Sequence, residues 1–411
     1  MKPTSLACIG CGETHPLDAF ARACRACAEA GVTANLGVVY GDAATPRRDA
    51  IPAGPATLWR FADALPLAAE DAVSLGEGMT PLVPIAAPHR GSLWVKDETR
   101  NPSWSFKDRL ASVAVSWAKK IGAQVIATSS SGNAGAAAAS YAARANLPCV
   151  VLTFRGAAGP MVGQIRAAGA MVLECAEKED RWRILSRAVK EFGWFPTSPF
   201  FGPAAGSNPI GIEGYKTLAY EIAEGLGWRA PDWCVLPVCY GDALFGLWKG
   251  FDEMRRWGWT EAMPRLVAAE VSGSLAAGLA GEDPMPPAVA RDGDSIAVSI
   301  DIPRSTAQAL LALRRTDGIA VALDDAEIAT ARAALARREG LFVEASSAAA
   351  FAAIERLGAA GTFRGGDSVV AIATASGLKD AGSSPADALP GAGTDLDGLR
   401  CALKQSYGFD V

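Results

Sequence analysis

The segment Asn101-Pro102-Ser103-Trp104-Ser105-Phe106-Lys107-Asp108-Arg109 joins a short apolar run at residues 93–95 to a helical pattern at residues 106–119. Lys107 therefore follows a strand and lies in the first turn of a helix. The backbone N–H groups at a helix N-terminus carry partial positive charge, which disfavours a protonated lysine. A helical lysine is usually a solvated surface residue, but a lysine with a lowered pKa can form a Schiff base. Its position makes Lys107 a candidate catalytic residue.

The order of a strand followed by a helix repeats along the chain. Apolar runs predict strands at residues 125–128, 149–154, 171–175, 233–238, 266–271, 319–323 and 369–374. Helical patterns occupy residues 133–145, 161–168, 181–192, 212–226, 244–256, 305–315, 327–338 and 347–357. Strands that alternate with long helices are typical of parallel sheets built from crossover units. The two series predict an α/β protein with two parallel-sheet, three-layer domains, in which ligands bind at the carboxyl ends of the strands.

The composition indicates a globular protein and argues against several classes of function. Hydrophobic residues make up 50% of the 411 residues and the formal net charge is −5, so we expect no nucleic-acid partner. No apolar stretch approaches the roughly 20 residues of a membrane span, and the N-terminus lacks the apolar core of a signal peptide. We therefore expect no membrane partner and a cytoplasmic location. The only histidines are His15 and His89, so catalysis based on histidine is not expected.

The first thirty residues contain two cysteine pairs, Cys8-x-x-Cys11 and Cys24-x-x-Cys27. In a reducing cytosol such pairs are more often metal ligands than disulfides. Four thiolates in a short segment predict a tetrahedral structural zinc site, and the alternative is a ribbon that folds without metal. Residues 41–66, which are rich in Pro, Ala and Arg, are expected to form a linker to the main body.

Three further loops at predicted junctions carry polar groups. The loop Thr128-Ser129-Ser130-Ser131-Gly132-Asn133-Ala134-Gly135 offers hydroxyls and N–H groups at a helix N-terminus, which suits an anion, although an ordinary helix cap by Ser131 or Asn133 has the same residues. The loop Val238-Cys239-Tyr240-Gly241-Asp242-Ala243-Leu244 fits either a phosphate cradle or a tight turn. The last loop, Ala373-Thr374-Ala375-Ser376-Gly377-Leu378-Lys379-Asp380, would direct the Thr374 hydroxyl into the same crevice.

Taken in order, these four loops resemble those of threonine synthase and its relatives, the fold-type II enzymes that depend on pyridoxal phosphate (PLP). The resemblance covers nearly the whole chain. It includes the cysteine ribbon, Gly76-Glu77-Gly78-Met79-Thr80-Pro81-Leu82, Asn208-Pro209, Glu213-Gly214-Tyr215-Lys216-Thr217 and Trp248-Lys249-Gly250-Phe251.

The resemblance also implies a division of the chain into domains. Residues 1–45 would form a zinc-ribbon-like segment with four cysteines. Residues 46–90 and 206–400 would form the large domain that binds the PLP phosphate. Residues 91–205 would form a small mobile domain that carries the lysine and the Ser-Ser-Gly-Asn loop, and residues 401–411 a C-terminal tail.

By the same resemblance, Lys107 holds PLP as a Schiff base and then moves protons. The loop of Ser130, Ser131, Gly132 and Asn133 would bind the substrate carboxylate, and the Asn133 amide would also lie against the ring oxygen of the cofactor. The cradle of the PLP phosphate would consist of Cys239, Tyr240, Gly241, Asp242 and Ala243. Thr374 would face the pyridine nitrogen, where a neutral hydroxyl weakens the ring as an electron sink and favours elimination or replacement over transamination.

The chain departs from the family pattern at several positions. Trp104 stands where related threonine synthases usually have Gly, in the loop beside the substrate carboxylate, so we expect its indole to fill space or wall off the pocket. Cys239 and Ala243 stand where the phosphate loop usually has glycines. Ala375 and Ser376 replace residues that some relatives keep near the cofactor.

Three hypotheses of function follow from the resemblance. The first is conversion of O-phosphohomoserine and water to threonine and phosphate, with Arg109, Lys96 or Arg100 as the cation that pairs with the substrate phosphate. The second, motivated chiefly by Trp104, is a PLP-dependent β-elimination or β-replacement on another amino acid, as in ammonia-lyases or cysteate synthase-like enzymes. The third is a non-catalytic scaffold. In each case we expect a homodimer, and in the catalytic cases a small amino-acid substrate over which the small domain closes.

Overall fold

The structure is a computed structural model that describes residues 2–18, 24–41, 45–51, 56–154, 159–177, 179–380, 390–392 and 395–410. The chain divides into two units, Met1–Asp380 and Ala381–Val411. The second unit contains helix α13 (Leu396–Tyr407), which has no buried residue and spans the boundary predicted at residue 400. No helix in the described ranges combines the length and the apolar character needed to cross a membrane.

The first unit consists of three sheets and their helices. Its described strands are β1 Pro3–Cys8, β2 Thr14–His15, β3 Leu36–Tyr40, β4 Leu82–Ile85, β5 Ser92–Asp97, β6 Ile126–Thr128, β7 Cys149–Phe154, β8 Met171–Cys175, β9 Phe195–Pro196, β10 Trp233–Pro237, β11 Arg265–Glu270, β12 Ile319–Ala322 and β13 Ser368–Ala373. Its described helices are α1 Arg25–Glu29, α2 Lys107–Lys120, α3 Asn133–Ala145, α4 Pro160–Ala167, α5 Asp180–Phe192, α6 Pro209–Ile212, α7 Lys216–Gly225, α8 Asp242–Arg256, α9 Ser274–Ala280, α10 Ala307–Arg314, α11 Asp325–Glu339 and α12 Ala345–Ala359. The predicted α/β class is confirmed.

The largest sheet has six strands in the order β12-β11-β10-β13-β5-β4. All neighbours are parallel except the edge strand β4, which runs antiparallel to β5, so this sheet is mixed where a parallel one was predicted. Strand β5 pairs with β13 over its whole length. The boundary predicted at residue 91 assigned β5 to the small domain, and its hydrogen bonds assign it to the large sheet instead.

Side chains of the large sheet alternate between two apolar layers because successive residues of a strand point to opposite faces. In β13, Val369 and Ala371 belong to a cluster with α12, whereas Val370 and Ile372 belong to the main core with α8 and α10. Both faces are therefore covered by helices, which gives the three-layer arrangement expected of a parallel sheet.

The second α/β sheet has four strands in the order β8-β7-β6-β9, and all of its pairs are parallel. Its faces also alternate: Val151 of β7 packs into the main core, while Val150 and Leu152 pack against α5. Strand β9 has only two residues and gave no signal in the sequence. Helix α2 packs against both α3 and α6.

The N-terminal segment forms a separate antiparallel sheet in the order β2-β1-β3. The segment predicted as a linker is more ordered than expected. Residues Leu58–Ala64 form a 3-10 helix that buries Leu58, Trp59 and Phe61 in the main core. The buried indole N–H of Trp59 is satisfied there, since it donates to Glu77 Oε1 (3.1 Å) and to Ser112 Oγ (2.9 Å). Residues 42–44 and 52–55 of that segment lie outside the described ranges.

A network of buried charges joins α2, β5 and α7. Arg109 Nε donates to Glu98 Oε2 (2.7 Å) and Arg109 Nη1 donates to Glu221 Oε1 (2.6 Å). Lys96 Nζ donates to the other oxygen of Glu221 (2.6 Å), and all four side chains are buried. Arg109 was predicted to contact substrate, but its guanidinium is inside this network.

We expect the substitution Arg109→Met to lower the free energy of unfolding by about 3–5 kcal/mol, because it leaves buried carboxylates without their counter-charge. Urea denaturation measures this change. The matched control is Arg183→Met, since the Arg183 side chain is 66% exposed in its pair with Asp180 and should leave the free energy nearly unchanged. Equal effects of the two substitutions would contradict the structural role of the network.

Candidate active site

A cavity of about 480 Å³ opens where β6, β10 and β13 end, at the carboxyl edges of the two α/β sheets. The predicted site residues that line it are Lys107, Ser130, Ser131, Gly132, Asn133, Cys239, Tyr240, Gly241, Asp242, Ala243 and Thr374. Trp104 and Arg109 are not among the lining residues. Four loops that are distant in sequence thus surround one space, as expected for the carboxyl ends of parallel strands.

Lys107 is the first residue of α2. The preceding Phe106 donates its N–H to the carbonyl oxygen of Thr374 (2.8 Å), which fixes the start of the helix against the end of β13. The Lys107 Nζ lies 4.6 Å from the centroid of the Phe106 ring and 5.8 Å from that of Tyr215. The amine therefore lies against a pair of aromatic rings at the wall of the cavity.

The loop before α3 offers N–H groups to the cavity. Gly132 is the N-cap of α3 and no side chain caps this helix, so the alternative of an ordinary cap by Ser131 or Asn133 is not observed. The first N–H groups of a helix have no partner within the helix, and together they form an anion site. Gly135 is required for this geometry, since an added Cβ would lie 1.8 Å from the Ser130 carbonyl oxygen.

Asn133 connects this loop to a residue that the sequence did not suggest. Its Nδ2 donates to Glu344 Oε2 (2.9 Å), while its Oδ1 is buried without a hydrogen-bond partner in the described structure. Glu344 precedes α12 and lines the cavity, and burial raises its pKa to about 7. It follows no predicted strand, so nothing in the sequence pattern assigned it to the crevice.

In the loop after β10, two carbonyl groups accept hydrogen bonds from hydroxyl groups just before α10. Ser305 Oγ donates to the Cys239 carbonyl (2.6 Å), and Thr306 Oγ1 donates to the Tyr240 carbonyl (2.7 Å). In a trans peptide the C=O and the following N–H point in opposite directions. The N–H groups of Tyr240 and Gly241 therefore point away from these hydroxyls.

The same loop then enters α8 through a left-handed residue. Gly241 has φ 72°, and an added Cβ would lie 2.3 Å from the Cβ of Ala309. Asp242 begins the helix, and its carboxylate accepts hydrogen bonds from Ser207 Oγ (2.6 Å) and Gln308 Nε2 (2.6 Å). These hydrogen bonds fix the position of the Asp242 carboxylate. No side chain caps the N-terminus of α8.

Thr374 is buried at the end of β13, and its Oγ1 is hydrogen-bonded to Ser347 Oγ (2.6 Å). Ser347 Oγ also accepts the N–H of Ala375 (2.8 Å). The Thr374 hydroxyl is thus positioned by a neutral neighbour on α12, which the sequence did not identify.

Trp104 has a left-handed backbone with φ 64°, a conformation that favours glycine. Its indole is 49% exposed and lines a separate surface depression with Phe342 and Leu378. The expectation that this side chain fills or walls off the pocket is therefore wrong, because the left-handed turn directs it away from the cavity.

Two further residues of the cavity wall lie at the start of α5 and were not predicted. Arg181 Nη1 donates to the carbonyl oxygen of Ser129 (3.0 Å), and Trp182 Nε1 donates to Ser129 Oγ (3.0 Å). The Trp182 ring lies 6.2 Å from that of Tyr240. These contacts join the loops that follow β6 and β10.

The four N-terminal cysteines lie together as predicted. Their Sγ atoms all lie within 4.8 Å of one another. The Sγ atoms of Cys8 and Cys27 are 3.4 Å apart, and those of Cys11 and Cys24 are 3.6 Å apart. A tetrahedron with metal–sulfur bonds of about 2.3 Å has edges of about 3.8 Å, so the cluster is close to the shape of a four-thiolate site.

Comparison with known proteins identifies the family of the chain. The family model of pyridoxal-phosphate dependent enzymes matches residues 73–375. The threonine synthases of Methanocaldococcus jannaschii and Methanosarcina acetivorans are 31% and 33% identical to this chain, each over 91% of the chain and 92% of the relative.

Solved structures show the same fold at lower identity. O-ureido-L-serine synthase matches with a TM-score of 0.62 and 23% identity, over 78% of this chain and 96% of its own. Maize serine racemase matches with a TM-score of 0.61 and 17% identity, over 79% of this chain and 92% of its own. The resemblance seen in the sequence is confirmed: the chain belongs to the fold-type II family of pyridoxal-phosphate dependent enzymes.

Proposed function

We propose that this lyase has the threonine synthase reaction and converts O-phosphohomoserine and water to threonine and phosphate. The observation that carries the proposal is the convergence of Lys107, the Ser130–Asn133 loop, the start of α8 and Thr374 on one cavity. The chain that forms this cavity is related to threonine synthases over nine-tenths of its length. A homodimer and a cytoplasmic location stay predictions.

The residues around the cavity fit PLP. The N–H groups of Tyr240, Gly241 and the uncapped first turn of α8 would hold the phosphate, because a helix N-terminus favours an anion. The Asn133 Oδ1, which is buried without a partner, can pair with the ring hydroxyl. When bound, PLP withdraws electrons from the substrate carbons and so supplies the carbanion chemistry that side chains lack.

The side chains would then divide the remaining work. Lys107 Nζ would anchor the cofactor and move protons among the substrate carbons, and the N–H groups at the start of α3 would bind the substrate carboxylate. In the proposed reaction the bond between Cγ and the phosphate oxygen breaks. The hydroxyl of water is added at Cβ, which loses one proton. Cγ and the leaving phosphate oxygen each gain one proton, so that threonine and phosphate are the products.

The second hypothesis, β-elimination or β-replacement on another amino acid, was motivated chiefly by Trp104. Since the Trp104 indole lies outside the cavity, this residue no longer favours it. The two reactions are separated by their products, because the first releases phosphate and the second, for serine, threonine or diaminopropionate, releases ammonia and a keto acid.

We expect wild-type protein to release phosphate and threonine from O-phosphohomoserine in equal amounts, and Lys107→Ala to lose both this release and the visible absorbance of the bound cofactor. Absorption spectra and a phosphate assay measure the two effects. The control is Lys120→Ala at the exposed end of the same helix, which should retain both. An unchanged spectrum in Lys107→Ala would refute the lysine assignment, and ammonia release without phosphate would refute the proposed reaction.

Glu344 generates a prediction about pH. Burial raises its pKa from the ordinary 4.5 to about 7, so between these values the folded protein binds a proton that the unfolded chain has lost. The stability that this proton contributes is complete below pH 4.5 and is lost as the pH rises through 7. In cofactor-free protein, the unfolding free energy of wild type should therefore fall by about 2 kcal/mol more than that of Glu344→Gln between pH 5.5 and pH 8.

Urea denaturation at the two pH values measures this difference. The control is Glu355→Gln, at an exposed position of α12, which should show no such gain. A parallel pH dependence in wild type and Glu344→Gln would count against a titrating buried acid at this position.

We also propose that the four cysteine thiolates hold one structural zinc ion. Metal analysis of protein purified without chelator should find about one zinc per chain, and Cys11→Ser should lose it, because a structural site needs all four ligands. Cys401→Ser, an exposed cysteine outside the cluster, should keep the metal. A wild-type preparation free of zinc would sink the prediction.

A further inference from the structure

The charged side chains that line the cavity in the described part of the chain are Lys107, Arg181, Asp242, Asp301 and Glu344. Two of them are cations. Lys107 is assigned to the cofactor and to proton movement, so the second cation of the wall has no role in the proposed mechanism.

The cations that the sequence suggested for the substrate phosphate are elsewhere. Arg109 and Lys96 are buried in the ion-pair network with Glu221. Arg100 is paired with Asp97, has a side chain that is 69% exposed, and does not line the cavity. An anionic substrate would still need a cation at the cavity wall.

Two of the contacts of Arg181 hold it at this wall. Its Nη1 donates to the Ser129 carbonyl (3.0 Å), and its guanidinium carbon lies 5.3 Å from the centroid of the Phe154 ring. Burial lowers its pKa, which means that its charge is partly removed from water. Charge-assisted hydrogen bonds strengthen in such surroundings, and a guanidinium has a planar fork of donors that fits a phosphate or carboxylate.

Ser129, which accepts the hydrogen bond from Arg181, also indicates which anion Arg181 faces. Ser129 immediately precedes the Ser130–Asn133 loop proposed for the substrate carboxylate, so Arg181 is fixed beside the amino-acid end of the cavity. The cofactor phosphate would be the other anion of the site, but in the proposed arrangement the uncapped start of α8 holds it. The contacts of Arg181 therefore favour the substrate.

We infer that Arg181 is the specificity residue that binds an acidic group on the substrate side chain, so that the enzyme takes amino acids with a terminal anion such as a phosphate. This inference rests on the proposed function, since it names the substrate class for the same site. It also provides a partner for the leaving phosphate that Arg109, Lys96 and Arg100 do not provide.

The test compares two non-reacting probes on the holoenzyme: 2-amino-5-phosphonopentanoate, which carries the anion, and norvaline, which has the same carbon chain without it. Calorimetry, or the change in visible absorbance of the bound cofactor, gives their dissociation constants. Arg181→Gln should weaken the phosphonate about 10- to 100-fold and leave norvaline nearly unchanged, because one charge-assisted contact is lost. The control is Arg183→Gln on the same helix, which is exposed and should affect neither probe.

Three results would overturn the inference. Equal weakening of both probes in Arg181→Gln would mean that Arg181 only supports the Ser129 loop. If Arg181→Gln weakens the binding of PLP to the apoenzyme but leaves the ratio of the two probes' dissociation constants unchanged, Arg181 binds the cofactor phosphate. If the wild-type enzyme binds the phosphonate no more tightly than norvaline, the cavity has no anion subsite.

The reaction and this subsite fail in different ways. Phosphate release by wild type together with an unchanged probe ratio in Arg181→Gln refutes the role of Arg181 alone. A probe ratio that depends on Arg181, in a protein that releases no phosphate from O-phosphohomoserine, supports the role of Arg181 and refutes the proposed reaction alone.

Discussion

The active site depends on a short backbone ladder between the lysine loop and the loop after β13. Phe106 donates its N–H to the Thr374 carbonyl (2.8 Å), Ser376 donates its N–H to the Trp104 carbonyl (3.1 Å), and an antiparallel bridge joins the residues between them. Backbone hydrogen bonds do not depend on side-chain rotamers, so they fix the start of α2 relative to the large sheet. The positions of Lys107 and Thr374 on one cavity follow from this ladder.

The ladder also explains why neighbours of Lys107 in sequence have other roles. Two residues along a helix correspond to a rotation of about 200°, so Arg109 points away from the cavity when Lys107 points toward it. Arg109 therefore meets Glu98 and Glu221, which hold the far side of α2. Trp104 lies on the other side of the ladder, where its left-handed backbone turns the indole to solvent. Proximity in sequence to Lys107 was a poor guide to proximity to the cavity at both positions.

The sequence predicted the alternation of strands and helices and the four loops, because these depend on local periodicity and on where strands end. It did not predict Glu344, which follows no predicted strand, or Arg181, whose loop is not one of the four considered. Tertiary packing brings both to the cavity. The hydroxyls of Ser305 and Thr306 are a similar case: they bind the carbonyl groups of the loop after β10 although they lie more than sixty residues away. The prediction of a linker at residues 41–66 was also wrong for Leu58–Ala64. This 3-10 helix is too short for a periodic signal but buries an aromatic residue at its second position.

The distribution of donors in the cavity bears on the chemistry that the fold supports. The anions of cofactor and substrate would be bound mainly by backbone N–H groups at α3 and α8, which carry no proton to exchange. Thr374 and Ser347, hydrogen-bonded to each other, offer only neutral hydroxyls at the end of β13. If Thr374 faces the ring nitrogen of PLP, as the resemblance implies, its hydroxyl would not stabilise a protonated nitrogen as a carboxylate would, and a ring with a neutral nitrogen is a weaker electron sink. Proton movement would then be left to Lys107, and the weaker sink would favour loss of a leaving group from the substrate over transfer of its amino group.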